Sequence, residues 1–429
     1  MPRRAPAARS CASGWCDMLV VEGRALIKGE LKQCCIGIEN GRISTIQKVL
    51  KGDTHLRFGD HLILPGAIDP HVHFREPGMT DKEDIASGSL AALHGGVTCA
   101  LDMPNTKPAT TGIEELLEKK ALISRKSWID MGCFAGVRSG KDPTPLAEEA
   151  IGFQIFLGSS TGDLLLKGEE QLKYALQQVA ATGKVVSVHA EEEELLTNGG
   201  MNLREHERNR PAEAEWAAVR RVQESSADAR INICHVTSRH TPGIIVGKTT
   251  FEVTPHHLLL DYDDELEAFG KVNPPLRSKA DRSALFQLFA AGKVPMLASD
   301  HAPHTFGEKS RSFDEAPSGM PGVETSIPLM LALVKKGLLP LPTLVRACAE
   351  TPAQVFGLNK GFIEEGRDAD LMIVDPSQIR PIKVRDLRTK CGWTAYEGKE
   401  AMFPHAVLLR GRLLMEEGGL VGERSGRSV

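Results

Sequence analysis

From residue 18 to about residue 66, short apolar runs alternate with turn residues. MLVVEG, ALIKG, CCIGIENGRISTIQ and LILPG are broken by glycines and by Asn-Gly, which predicts β-strands joined by tight turns. After Gly66 the texture changes. Strand-like runs (VTCALDM, IDMGCFAGV, IGFQIFLG, KVVSVHA, INICHVT, TTFEVTP, VPMLASD) alternate with helical stretches such as IEELLEKKALISR, EEQLKYALQQVAATG and AEAEWAAVRRVQES. Such alternation implies βαβ units and a parallel sheet, and about eight strands in one run favour a closed barrel. Strand signals return in ADLMIVDP and AVLLRGRLLMEEG. The expected fold is α/β: a (β/α)8 TIM-type barrel over residues 67–359, beside a small composite β-sandwich domain made from 17–66 plus 360–420. Residues 1–16 read as a flexible N-terminal extension and 421–429 as a flexible tail.

Composition narrows the function classes. The net charge of -4 and the 5% aromatic content argue against a nucleic-acid binder, which needs basic patches and stacking platforms. No run of about 18 apolar residues occurs, so no membrane span is expected. The basic N-terminus leads into no apolar segment of the kind a signal peptide carries. The nine cysteines are odd in number and include no C-x-x-C pair, which fits a reduced cytoplasmic protein and gives no support to cysteine ligation of a metal.

The candidate chemistry sits at the ends of the predicted barrel strands. The first ends ILPGAIDPHVHFREPG, with Asp69, His71, His73 and Arg75 close together. Histidines at i and i+2 of a strand share a face. Later strands end in His189, His235 and Asp300. Taken singly, each histidine reads as an ordinary hydrogen-bonded residue. Four histidines and an aspartate at successive strand ends, where barrel active sites lie, read as a nitrogen and oxygen metal site. Zinc suits it best, with manganese, cobalt or iron as alternatives. A metal there would activate water, and Asp300 would shuttle the proton. Asp69 would either ligate or orient a histidine ring. The polar stretch 306–322 suits a mobile loop over the site.

DPHVHFREPG, MPNT (103–106), ICHVT (233–237), TPHHLLL (254–260), VNPPLR (272–277), SDHAPH (299–304) and GFIEEGRDADLMIVD (361–375) together resemble the dihydroorotases of the amidohydrolase superfamily. The resemblance implies reversible cyclisation of N-carbamoyl-L-aspartate to (S)-dihydroorotate, the third step of de novo pyrimidine biosynthesis. It implies one or two Zn2+ ions per subunit: His71 and His73 on one, His189 and His235 on a second, and Asp300 as ligand and general acid/base. Arg75, Asn105 and His304 would bind the substrate carboxylate, with Asn273, Pro321 and Gly322 against the ring. A homo-oligomer, with aspartate transcarbamoylase as a further partner, belongs to the same expectation. Two alternatives stay open: an allantoinase or hydantoinase acting on neutral rings, and an inactive scaffold subunit of the transcarbamoylase. One position departs from the pattern. Where relatives carry a lysine that becomes carboxylated and bridges two metals, this chain has Gln154, whose neutral amide cannot form a carbamate. Asp163 is the nearest acidic substitute.

Overall fold

The computed structural model describes residues 18–159, 164–226 and 228–429; the expected N-terminal extension and Asp163 lie outside them. β1 (Leu19–Ile27) and β2 (Glu30–Glu39) form a hairpin, and β3 (Arg42–Gln47) extends it through Asn40-Gly41. These two residues have φ of 52° and 79°, the pair of positive values that a type I′ turn requires and Asn-Gly tolerates best. β4 (Thr54–Pro65) lies parallel to β1. The sheet is completed from the far end of the chain. Leu371–Val374 pairs antiparallel with β4, followed by Ala406–Leu409, Arg412–Glu416 and Gly419–Leu420. The N- and C-terminal segments therefore share one eight-stranded sheet.

The second sheet contains β5 (Ala67–Val72), β6 (Val97–Asp102), β7 (Asp130–Gly136), β8 (Gly152–Phe156), β9 (Val185–His189), β10 (Arg230–Ile233), β11 (Thr250–Val253) and β12 (Met296–Leu297), parallel and in chain order. It closes where Val72 bridges His301, just past β12, and His73 N donates to His301 O at 2.8 Å. The fold is a (β/α)8 barrel with a separate β unit. β5 to β9 are buried at every residue, as strands packed on both faces must be. Helices between the strands pack on this sheet; Glu169–Thr182, for example, buries the stripe Leu172, Ala175, Leu176 and Val179.

A buried ionic knot joins the two units. Lys360 Nζ lies 2.6 Å from Asp130 Oδ2, at the start of β7, and 2.7 Å from Asp370 Oδ2; Arg410 also pairs with Asp130. The end of the chain, expected to hang loose, runs beside this seam. Met131 N donates to Arg427 O at 2.8 Å and Val429 N to Met131 O at 2.9 Å. Backbone pairing holds Arg427 and Val429 in place, and composition gives no sign of it. No helix among the described residues is long and apolar enough to cross a membrane.

Candidate active site

The strand ends bring the imidazoles together. His71 and His73 project from one face of β5 and its extension, with ring centroids 5.2 Å apart. Asp300, just beyond β12, places Oδ1 3.4 Å from His71 Nε2 and 3.2 Å from His73 Nε2. His189 closes β9, and its Nδ1 lies 3.0 Å from Nε2 of His235, which follows β10. The His235 ring is 5.3 Å from that of His71, so the two groups adjoin. All five side chains are buried. Arg75, His235 and Asp300 have φ of 61°, 36° and 44°. Left-handed backbone costs a non-glycine residue about 1–2 kcal/mol, so the surrounding packing holds three site residues where they would not rest alone.

The donor set fits divalent cations. His71, His73 and Asp300 offer ligand atoms within 4.8 Å of one another. Burial pushes His73 down to about 4 and His235 well below its ordinary value, so both rings present lone pairs. His71 behaves oppositely. Burial opposes its charge, but Cys234, Asp300 and Glu252 hold it well above its ordinary value; this corner of the site calls for a positive charge. His235 Nδ1 is buried without a hydrogen-bond partner among the described residues.

The remaining predicted residues divide. Arg75, Asn105 and Asn273 line the same small cavity as the four histidines, Asp300 and Phe156. Arg75 is 2% exposed, and its Nε donates to Pro303 O at 3.1 Å. Among the described residues no carboxylate pairs with it, and burial lowers its pKa to about 10. Asn105 Oδ1 lies 2.7 Å from His73 Nδ1, so this amide orients a site histidine. Asn273 Oδ1 meets His206 Nε2 at 3.0 Å. His304 sits behind Arg75 and does not line the cavity. Burial and the neighbouring Arg75, Lys82 and Lys309 keep it neutral; Nδ1 accepts from Lys82 Nζ at 3.0 Å, which leaves the Nε2 proton for Ser318 O, also at 3.0 Å. Pro321 and Gly322 line a neighbouring cleft with His301 and Glu324. Their places on the cavity wall are taken by Ser318 and Gly319. The reason is local: Gly322 N donates to His301 Nδ1 at 3.1 Å, which draws this turn behind the strand.

Gln154 is 1% exposed, lies below the cavity and places its amide 3.9 Å from Cys234 Sγ. Asp69 touches no histidine ring; Oδ1 accepts from the backbone N of His71 at 3.2 Å and of Ser299 at 3.0 Å. Ring contact of the kind expected of Asp69 comes instead from Glu252 on β11, whose Oε1 is 2.6 Å from His71 Nδ1, and from Glu191, whose Oε2 is 2.8 Å from His189 Nε2. Sequence reasoning passed over both. Their signals were a lone acid inside the apolar run TTFEVTP and an acid two residues after a strand-end histidine.

In this structure the loop expected to be mobile is held over the site by lysine hydrogen bonds. Lys271 Nζ donates to Phe313 O at 2.7 Å and Ala316 O at 2.8 Å, and Lys309 Nζ to Pro317 O at 2.9 Å. Under this loop the cavity measures about 30 Å³, room for little more than one water. Two larger clefts, of about 610 and 630 Å³, lie elsewhere and hold none of the strand-end histidines, so chemistry rather than volume marks the site.

Comparison with known proteins agrees with this geometry. The profile of the Amidohydrolase family matches residues 62–403. A dihydroorotase from Halobacterium salinarum is 40% identical, covering 96% of this chain and all of its own length. One from Methanosarcina acetivorans is 39% identical, covering 94% and 92%. Among solved structures, L-hydantoinase (dihydropyrimidinase) from Arthrobacter aurescens superposes with a TM-score of 0.91 at 25% identity, covering 96% of this chain and 100% of that one. The same barrel, the strand-end histidines and whole-length similarity converge: this chain belongs to the amidohydrolase family and, within it, to the dihydroorotases.

Proposed function

We propose that this protein is a zinc-dependent dihydroorotase. It interconverts (S)-dihydroorotate plus water and N-carbamoyl-L-aspartate, with 67–359 as the catalytic barrel and 17–66 plus 360–420 as its supporting β domain. The observation that carries the reading is a buried guanidinium, Arg75, without a carboxylate ion pair among the described residues, in the cavity that holds four imidazoles and Asp300. A buried arginine with no direct ion pair suits the carboxylate of this substrate; a neutral hydantoin ring offers it carbonyl oxygens but no charge.

His71, His73 and Asp300 would hold one ion. His189 and His235 would hold a second, less tightly, because Gln154 brings no bridging negative charge. When bound, the ions supply an activated water and a polarised amide carbonyl. The chain's own residues do the rest. Arg75 fixes the ring by its carboxylate. Asn105 holds the His73 ring through Nδ1. In the hydrolytic direction Asp300 takes a proton from the attacking water, the ring C–N bond breaks, and the departing nitrogen receives that proton. Cyclisation reverses these steps. Because the cavity has room for little more than a water, residues 306–322 must shift to admit the ring. The seven described cysteines are unpaired and buried, which supports a cytoplasmic setting.

The test is to assay dihydroorotate, hydantoin and allantoin beside elemental analysis of the purified protein. Hydrolysis of dihydroorotate alone, lost in Asp300→Asn, is the expected result. Hydantoin turnover in its place, or protein that takes up no metal, would overturn the reading.

A further inference from the structure

Glu252 is fully buried on β11 and faces the barrel interior. Oε1 lies 2.6 Å from His71 Nδ1, and Oε2 accepts from Asn232 Nδ2 at 2.9 Å. The carboxylate therefore grips the nitrogen of His71 that points away from Asp300, while Nε2 points toward it. The four site histidines are not alike in this respect. His73 Nδ1 meets the neutral amide of Asn105, and His235 Nδ1 has no hydrogen-bond partner among the described residues. His189 Nε2 meets Glu191, but that carboxylate is claimed by Arg210, with Nε 3.1 Å from Oε1. Glu252 has only a neutral amide on its other oxygen, so its charge is left to act through the imidazole.

From this contrast we infer that Glu252 is the anionic positioning residue of the His71/His73/Asp300 site. It fixes His71 in the tautomer that presents Nε2 to the cation and supplies, through the ring, negative charge that Gln154 cannot provide. A carboxylate behind a ligating imidazole orients the ring and raises its basicity, and a charge in a buried site acts more strongly than the same charge in water. The inference rests on the metal reading above and adds the residue on which the tighter ion depends.

The test measures zinc affinity by competition with a chelator, and the thermal midpoint of the metal-free chain, in wild type, Glu252→Gln and Asn232→Leu. Glu252→Gln keeps the shape and an acceptor oxygen but removes the charge. Its zinc affinity should fall by about 10- to 100-fold, while the metal-free midpoint stays close to wild type. Asn232→Leu, which loosens the carboxylate without removing it, should show a smaller loss in the same direction and serves if Glu252→Gln does not fold. Unchanged affinity in Glu252→Gln, with or without a lower midpoint, would assign Glu252 to structure alone and overturn the inference. Wild-type protein that binds no zinc would instead overturn the metal reading on which it stands.

Discussion

His189 Nδ1 faces His235 Nε2 at 3.0 Å, and the far nitrogen of His189 is already bound to Glu191. With Nε2–H donated to the carboxylate, Nδ1 of a neutral His189 carries a lone pair. His235, held neutral chiefly by its burial, must place its single proton on either nitrogen. A cation between the rings is met by two lone pairs once that proton sits on Nδ1, which is now unpartnered. His235→Ala should therefore reduce bound zinc toward one per chain while the His71/His73/Asp300 ion stays. Elemental analysis reads this directly, and an unchanged metal count would place the second ion elsewhere.

Gln154 gives the complementary experiment. It lies on β8, buried beside Cys234 beneath the two histidine pairs. A lysine there would extend toward the ions and could take up carbon dioxide as a bridging carbamate. Gln154→Lys should raise bound metal toward two per chain in bicarbonate-containing buffer. No rise over wild type would show that the second ion does not await a bridging anion.

Arg75 sets selectivity. A charge-assisted hydrogen bond to a buried partner is worth about 1.5–3 kcal/mol, so Arg75→Gln should lower kcat/KM for dihydroorotate by about 10- to 100-fold. Any residual turnover of a neutral cyclic amide should be untouched. Equal losses on both substrates would mean that Arg75 holds the cavity wall rather than the carboxylate.

Much of this centre was legible because its ligands end strands. Strand periodicity placed His71 beside His73, and barrel closure had to bring β9, β10 and β12 to the same rim as β5. The residues that tune those ligands were harder to see. Glu252 and Glu191 act across strands, and nothing local to TTFEVTP or HAE names the imidazole each will meet. Asp69 sits beside two histidines in sequence yet spends its carboxylate on backbone amides, because its side chain points to the seam that Ser299 occupies. Pro321 and Gly322 illustrate a different limit. The loop's path depends on Lys271 and Lys309 capturing its carbonyls, hydrogen bonds made by the ammonium groups of residues that read as ordinary surface charges. The pairing of residues 427–429 with Met131 likewise uses only backbone groups, which every sequence has.

The seam between the two units rests on Lys360. The residue is 2% exposed and its ammonium lies against Asp130 and Asp370. Removing one member of such a knot strands the opposite charges in a dry place, at a cost of about 3–5 kcal/mol. Lys360→Met should lower stability by that amount in denaturant unfolding, without changing the metal content of the folded protein. A loss below about 1 kcal/mol, the usual worth of an exposed pair, would show the seam to be wetter than its burial suggests.

Glu324 predicts a pH dependence of stability. Burial raises its carboxyl to about 8, only partly offset by hydrogen bonds from the backbone N of Arg388 and Thr389. In the unfolded chain the same group titrates at its ordinary value near 4.5. Below that value it is protonated in both states and contributes no pH dependence. Between the two values the folded chain binds the extra proton, so stability falls as pH rises, by up to about 1.4 kcal/mol per unit for one group. Above the folded value both states are ionised and the loss levels off. Glu324→Gln removes this group alone, so other titrations cancel when the two proteins are compared. The variant should melt close to wild type at pH 5, progressively higher than wild type from pH 6 to about pH 8, and by a constant margin above that. Parallel melting curves across that range would mean that the carboxyl is ionised and satisfied where it lies, with the two backbone donors and Arg388 outweighing its burial.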